Sequence, residues 1–244
     1  MKIILQPDQN LWFTSDTHYN HYNIVKSITK WEGSRKDRTR DFESLEQMNE
    51  VIVEHINSFV KEDDMLIHLG DWSFGGFDSI KEFRDKIKCK NIHLVLGNHD
   101  HHIANNKNNI QDLFSSVHEY LFLQVNIPVG PTFTKHRFVC MHYPIASWNG
   151  MSEGIVHLHG HVHLSPEYKL GKGKSLDVGV DGNYYFPISI SQINYMMEKR
   201  PIHRLILPID HHEEKILKGI KKFINLIKQK LFYNDKETKI TKTF

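Results

Sequence analysis

The 244-residue chain reads as an α/β fold, and two features of its sequence carry that expectation. Short apolar, β-rich runs alternate with stretches whose apolar residues recur every three or four positions, the mark of amphipathic helices between strands. Five of the apolar runs are followed at once by a short polar motif, and strand-end loops are where a sheet gathers residues that are distant in sequence. The length suits a single α/β domain with a sizeable core.

Taken in order, Leu11-Trp12-Phe13 is the first such run, and Asp16-Thr17-His18 follows it. Asp41 is then the candidate N-cap of a helix in which Leu45, Met48, Ile52, Ile56 and Phe59 form one stripe, ended by Lys61-Glu62-Asp63-Asp64. Met65-Leu66-Ile67 leads into Gly70-Asp71, and a second helix carries Ile80, Phe83 and Ile87 with Asp78 near its start. The run at 92–96 leads into Gly97-Asn98-His99-Asp100, after which the His- and Asn-rich residues 100–109 read as an exposed loop. Strand-like patterns at 117–127 and 137–141 follow, the second leading into His142, and Ile155-Val156 precedes Gly160-His161-Val162-His163.

From about residue 211 the chain changes character. Ile216, Ile220, Phe223, Ile224, Ile227 and Leu231 mark an apolar helical stripe, and Lys215, Lys218, Lys221, Lys222, Lys228 and Lys230 supply its polar side. The expected division is therefore a domain at 1–209 and a basic amphipathic helix and tail at 210–244. Packing is the default role for that helix, with subunit pairing, nucleic acid or an anionic membrane surface as alternatives.

Each motif alone is weak, and the ordered set is strong. Histidine is abundant, at 18 residues, so His101, His102, His211 and His212 read as solvated. Asp, Asp, Asn-His-Asp, His and His-x-His at successive strand ends instead point to a metal centre. A carboxylate between two divalent cations cancels part of their repulsion, while imidazoles and an amide oxygen complete the shells without adding charge. Nitrogen and oxygen donors without a thiolate suit Mn first, with Fe, Ni or Zn as the other candidates, rather than Ca or Cu(I).

From about Leu11 to His163, and on to Asp177-Val178-Gly179-Val180-Asp181, these motifs resemble those of the calcineurin-like metallophosphoesterases, in particular compact bacterial and phage-type members. The resemblance implies an αββα sandwich, two mixed β-sheets face to face with helices outside. It implies one metal held by Asp16, His18 and His163, another by Asn98, His142 and His161, and Asp71 bridging the two. His99 would assist departure of the leaving group, with Asp100 orienting its ring. The implied reaction is hydrolysis of a phosphate ester by hydroxide activated between two metal ions roughly 3.5–4 Å apart, which also clamp the phosphoryl oxygens. The serine/threonine phosphatase branch continues Gly-Asp with Asp-Arg and uses Gly-Asn-His-Glu, whereas this chain has Gly70-Asp71-Trp72-Ser73 and ends its third motif in Asp100, which favours a phosphodiester in a nucleotide, cyclic nucleotide or nucleic-acid end. A non-catalytic scaffold that keeps the fold and binds a protein partner is the alternative. The presence of every ligand position argues against it.

Composition narrows the setting. A net charge of +2 means that the molecule as a whole does not strongly attract nucleic acid, so any basic patch is local. Cys89 and Cys140 make no disulfide framework, which favours a reducing cytoplasm, and no stretch approaches the length of a signal peptide core or a membrane span. Arg35, Arg38 and Arg40 concentrate charge in an expected loop and are candidate phosphate contacts. His21 and His159 are candidates for touching substrate or supporting the ligands, and Tyr19, Trp72, Phe74 and Trp148 for stacking on a base.

Overall fold

A computed structural model describes residues 1–26, 40–164, 173–203 and 222–224. The chain divides into two compact units, Met1–Arg204 and Leu205–Phe244. The first contains strands β1 (Lys2–Ile4), β2 (Leu11–Thr14), β3 (Met65–His68), β4 (Asn91–Val95), β5 (Ser116–His118), β6 (Leu121–Val129), β7 (Thr132–Cys140), β8 (Val156–His159), β9 (Ser175–Asp177) and β10 (Ile188–Ser189). Its α-helices are α1 (Leu45–Phe59), α2 (Phe77–Lys86), α3 (His101–Ala104) and α4 (Ile190–Glu198). In the second unit Lys222–Ile224 are helical, and the rest of the lysine-bearing stripe lies outside the described residues.

The strands form two five-stranded mixed sheets, ordered β10-β2-β3-β4-β5 and β1-β6-β7-β8-β9. Strands β2 to β5 run parallel, β10 is antiparallel to β2, and β6 and β7 form an antiparallel hairpin whose far strand runs parallel to β8. Strand alternation explains the layering. Along β2, Leu11 and Phe13 enter a core shared with Leu123, Val125, Phe138 and Leu158 of the other sheet, while Trp12 enters a second core with the helices. Leu66 and Ile67 of β3 divide between the two cores in the same way. The helical core receives Met48, Ile52 and Ile56 of α1 and Ile80 and Phe83 of α2, the stripes expected from their spacing.

Three local readings are corrected. Helix α1 is capped by Ser44, whose Oγ accepts from the Gln47 amide at 3.1 Å, because the chain is still extended at Ser44 and the Phe42 amide donates to the Val25 carbonyl. The 100–109 stretch is partly helical: α3 is followed by a 3₁₀ segment, Lys107–Leu113, and Ile103 and Ile110 anchor them in the core. The strand expected at 117–127 is two strands in different sheets, β5 and β6, separated by residues 119–120.

Every motif leaves the carboxyl end of a strand. Those after β2, β3 and β4 come from neighbours in one sheet, and those after β7 and β8 from neighbours in the other. The rim where the two sheets end together is therefore where the polar residues meet.

Candidate metal centre

Three of the five motif loops have a strained backbone. Asp16, His18, Asp71, His161 and His163 all have positive φ, between 45° and 74°. Non-glycine residues rarely adopt this region, and surrounding contacts must hold them there. The Asp16 and His18 amides donate to the carbonyls of Gly70 and Asp71 at 2.9 and 3.0 Å, and the Gly160 amide donates to the His142 carbonyl at 2.9 Å. The buried Asp100 carboxylate ties the second and third motifs together by accepting from the amides of Asp71, Trp72 and Gly97 at 2.8, 2.9 and 2.8 Å. Close approach leaves no room for side chains at two glycines. A Cβ on Gly97 would stand 2.2 Å from Asp71 Oδ1, and one on Gly160 would stand 2.1 Å from Asp16 Oδ2.

These loops bring donor atoms into two adjoining groups. Asp16, His18, Asp71 and His163 each offer an atom within 4.8 Å of the others. His18 Nε2 lies 3.1 Å from His163 Nε2, and His163 Nε2 lies 3.6 Å from Asp16 Oδ1. In the second group, Asn98 Oδ1 lies 3.0 Å from His142 Nε2 and 2.9 Å from His161 Nδ1. Asp71 Oδ2 joins the groups, at 3.4 Å from both His18 Nε2 and His142 Nε2.

The electrostatics suit divalent-cation binding. Asp16 and Asp71 bring buried carboxylates to a cluster whose other donors are imidazole and amide groups, and uncompensated buried charge is costly. Burial alone would raise the Asp71 pKa, but hydrogen bonds from His142 and His18 hold it well below the ordinary carboxylate range. Burial lowers the pKa of His18, which favours the neutral form that ligates metals. His142 Nδ1 lies 2.7 Å from the Leu69 carbonyl, an arrangement that makes it the N–H donor and directs Nε2 into the cluster. His163 Nδ1 likewise faces Asp181 Oδ2 at 2.8 Å. A carboxylate behind the imidazole fixes its tautomer and orientation.

The other predicted residues separate. His99 is half-buried beside the cluster, its ring 5.3 Å from that of His18, and its amide donates to Asp71 Oδ1 at 2.9 Å. Asp100, expected to orient that ring, accepts from three backbone amides and so ties the loops together, and among the described hydrogen bonds none joins it to the His99 ring. His21 Nδ1 is 3.3 Å from His18 Nδ1, and its ring stacks on Phe74 at 4.0 Å. Burial drives the His21 pKa down to about 4, with the charges of His18 and His99 adding to the effect.

Arg40 is not the solvent-facing phosphate contact expected of a basic loop. It is fully buried and makes a two-pronged ion pair with Asp181 while also donating to the carbonyls of Asp16 and Thr17. Arg35 and Arg38 lie outside the described residues. Sequence reasoning assigned no role to Asp181; its only signal was the Asp177-x3-Asp181 stretch following the last histidine motif. Of the four aromatics beside the motifs, Tyr19, Trp72 and Trp148 are core residues, and Phe74 is exposed. His159 is buried in β8, with its Nδ1 3.2 Å from the Gly160 carbonyl and Nε2 without a hydrogen-bond partner.

A double sheet whose strand ends assemble buried carboxylates and imidazoles has the architecture and donor set of a metal-binding sandwich. The family model for calcineurin-like phosphoesterases matches residues 10–181, and the chain belongs to that family. It is 26% identical over 203 residues to an uncharacterized protein of Methanocaldococcus jannaschii, covering 81% of this chain and 97% of that one. Its fold resembles the crystal structure of a protein of unknown function from Aquifex aeolicus, with a TM-score of 0.51 and 23% identity over 78% of this chain and all of that one. Among the described residues no helix is long and apolar enough to cross a membrane.

Proposed function

We propose that the protein hydrolyses a phosphodiester, in a nucleotide, a cyclic nucleotide or a nucleic-acid end. Asp16, His18 and His163 would hold one divalent ion, Asn98, His142 and His161 the other, and Asp71 both. The observation that carries this reading is the placement of Asp71 Oδ2 at equal distance, 3.4 Å, from one imidazole of each group. Two ions held there, Mn before Fe, Ni or Zn, would supply Lewis-acid polarisation of the phosphoryl oxygens and a nucleophilic water at neutral pH.

The chain's own residues supply the rest. The rigid loops fix the ligand set before substrate arrives, so little reorganisation remains for the reaction itself. His99, at the edge of the cluster and outside both ligand groups, is placed to deliver a proton to the departing oxygen. His21 stands behind His18 and holds its ring. Two buried free thiols, Cys89 and Cys140, support a reducing cytoplasmic setting.

The test is metal content after mild purification, with hydrolysis of bis-p-nitrophenyl phosphate in added Mn²⁺. Two bound ions and metal-dependent turnover are expected. A protein that takes up no metal and hydrolyses nothing would be a scaffold.

A further inference from the structure

Beside the metal centre lies a cavity of about 330 Å³, and His99 forms the wall between the two. One side of the His99 ring meets His18 at 5.3 Å, and Phe74 meets it at 5.5 Å. Ser73, Phe74 and Gly76, leading into α2, and His101 and His102, at the start of α3, line the cavity together with Gly75, Ile80 and Asp100. The space beside Gly76 is open, since a Cβ there would meet only the His102 ring, 3.9 Å away.

The lining says what kind of group fits. Four of its side chains are flat rings, and Phe74, backed by the parallel ring of His21 at 4.0 Å, is held as a rigid exposed platform. Among the described residues no lysine or arginine lines the cavity, and Asp78 sits in the first turn of α2, which disfavours a second phosphate. Ser73 lines the wall, but its Oγ is buried with no hydrogen-bond partner, so the wall that a ligand meets there is not a polar one. The volume is at the small end of the ~300–1,000 Å³ range of organic-ligand pockets, room for one nucleoside rather than a duplex.

We propose that this cavity receives the organic group on the leaving-group side of the scissile phosphate, and that this group is a nucleoside whose base stacks on Phe74. The inference rests on the phosphodiesterase reading above and narrows it. For a nucleoside 5′-ester, water attacks phosphorus, the P–O5′ bond breaks, and O5′ leaves with a proton from His99. The nucleoside departs through the cavity and the second ester group stays on phosphate.

Adenosine 5′-methyl phosphate tests the direction of cleavage in the metal-loaded enzyme. Release of adenosine and methyl phosphate is expected, and release of AMP and methanol would overturn the proposal. Calorimetric titration of the metal-free protein with adenosine tests the cavity independently of turnover. Binding is expected to weaken about tenfold or more in Phe74→Ala, the loss expected of a stacking platform, and measurably in His102→Ala should the first variant fold poorly. No adenosine binding by the wild-type protein, or equal binding by both folded variants, would overturn the cavity assignment. Failure to hydrolyse any ester with any metal would instead sink the phosphodiesterase reading, leaving the binding result to decide the cavity by itself.

Discussion

Arg40 and Asp181, separated by 141 positions in sequence, form a buried two-pronged ion pair, with Nε to Oδ1 at 2.8 Å and Nη2 to Oδ2 at 2.9 Å. Oδ2 of the same carboxylate stands 2.8 Å from His163 Nδ1, so the arginine reaches the metal centre through Asp181. Removing one partner leaves a buried charge unpaired. Arg40→Ala is expected to cost about 3–5 kcal/mol of stability, measured by denaturant unfolding of the metal-free protein. Asp181→Asn is expected to weaken metal binding about 10–100-fold, the usual effect of removing the partner behind a ligating histidine. Unchanged affinity would show that Asp181 serves only the fold.

Asp71→Asn is expected to impair occupancy of both ions, because its Oδ2 alone faces an imidazole of each group. Metal analysis should show both sites depleted and activity nearly lost. Two retained ions with near-normal turnover would refute the bridging role.

His99→Ala is expected to keep both metals and lose on the order of 10²–10⁴ in kcat for alkyl esters, the range contributed by a positioned proton donor. The loss should shrink for a p-nitrophenyl leaving group, which needs no proton. Equal losses for the two would reassign His99 to binding phosphate.

Protons compete with metal at His142. Burial alone would lower its pKa, but the hydrogen bond to Asp71 and the charges of Asp16 and Asp71 raise it to about 9 in the metal-free protein. A cation must displace that proton. Metal affinity should therefore climb as pH rises from neutrality to about 9, with proton release on binding at pH 7. Calorimetry in buffers of different ionisation enthalpy measures the release, and its absence would contradict the assignment of His142 as a ligand.

Gly97→Ala is expected to reduce metal binding more than folding. The new methyl would lie 2.2 Å from Asp71 Oδ1 and 2.5 Å from the Asp71 amide nitrogen, so that carboxylate and the loop carrying it must move. A preserved circular dichroism spectrum with lost metal stoichiometry is the expected result, and full metal retention would show that the loop yields instead.

The helices α1 and α2 were legible because burial on one side repeats every three to four residues, a pattern written locally in Met48, Ile52 and Ile56 or Ile80 and Phe83. The cap at Ser44 is not legible over Asp41, since both are good capping residues and only the extended backbone at Ser44 and the bond from the Phe42 amide to Val25 decide between them. The sheet-ending motifs were legible for another reason. Asp16, Asp71, Asn98, His142, His161 and His163 are residue types with little use in a core, repeated after apolar runs.

Sequence by itself determined the α/β character, the order of the strand-end motifs and the donor chemistry they can offer, because each is set by neighbours within a few residues. Tertiary structure decided which donors meet, that Asp100 binds backbone amides rather than the His99 ring, and that Arg40 turns inward to Asp181. It also decided that Trp72 fills the core while Phe74, two positions on, faces a cavity. The physical reason is that a charge or ring has no fixed role in an isolated chain. Its role comes from what desolvates it and what stands opposite, and here those partners arrive from loops and turns more than a hundred residues away.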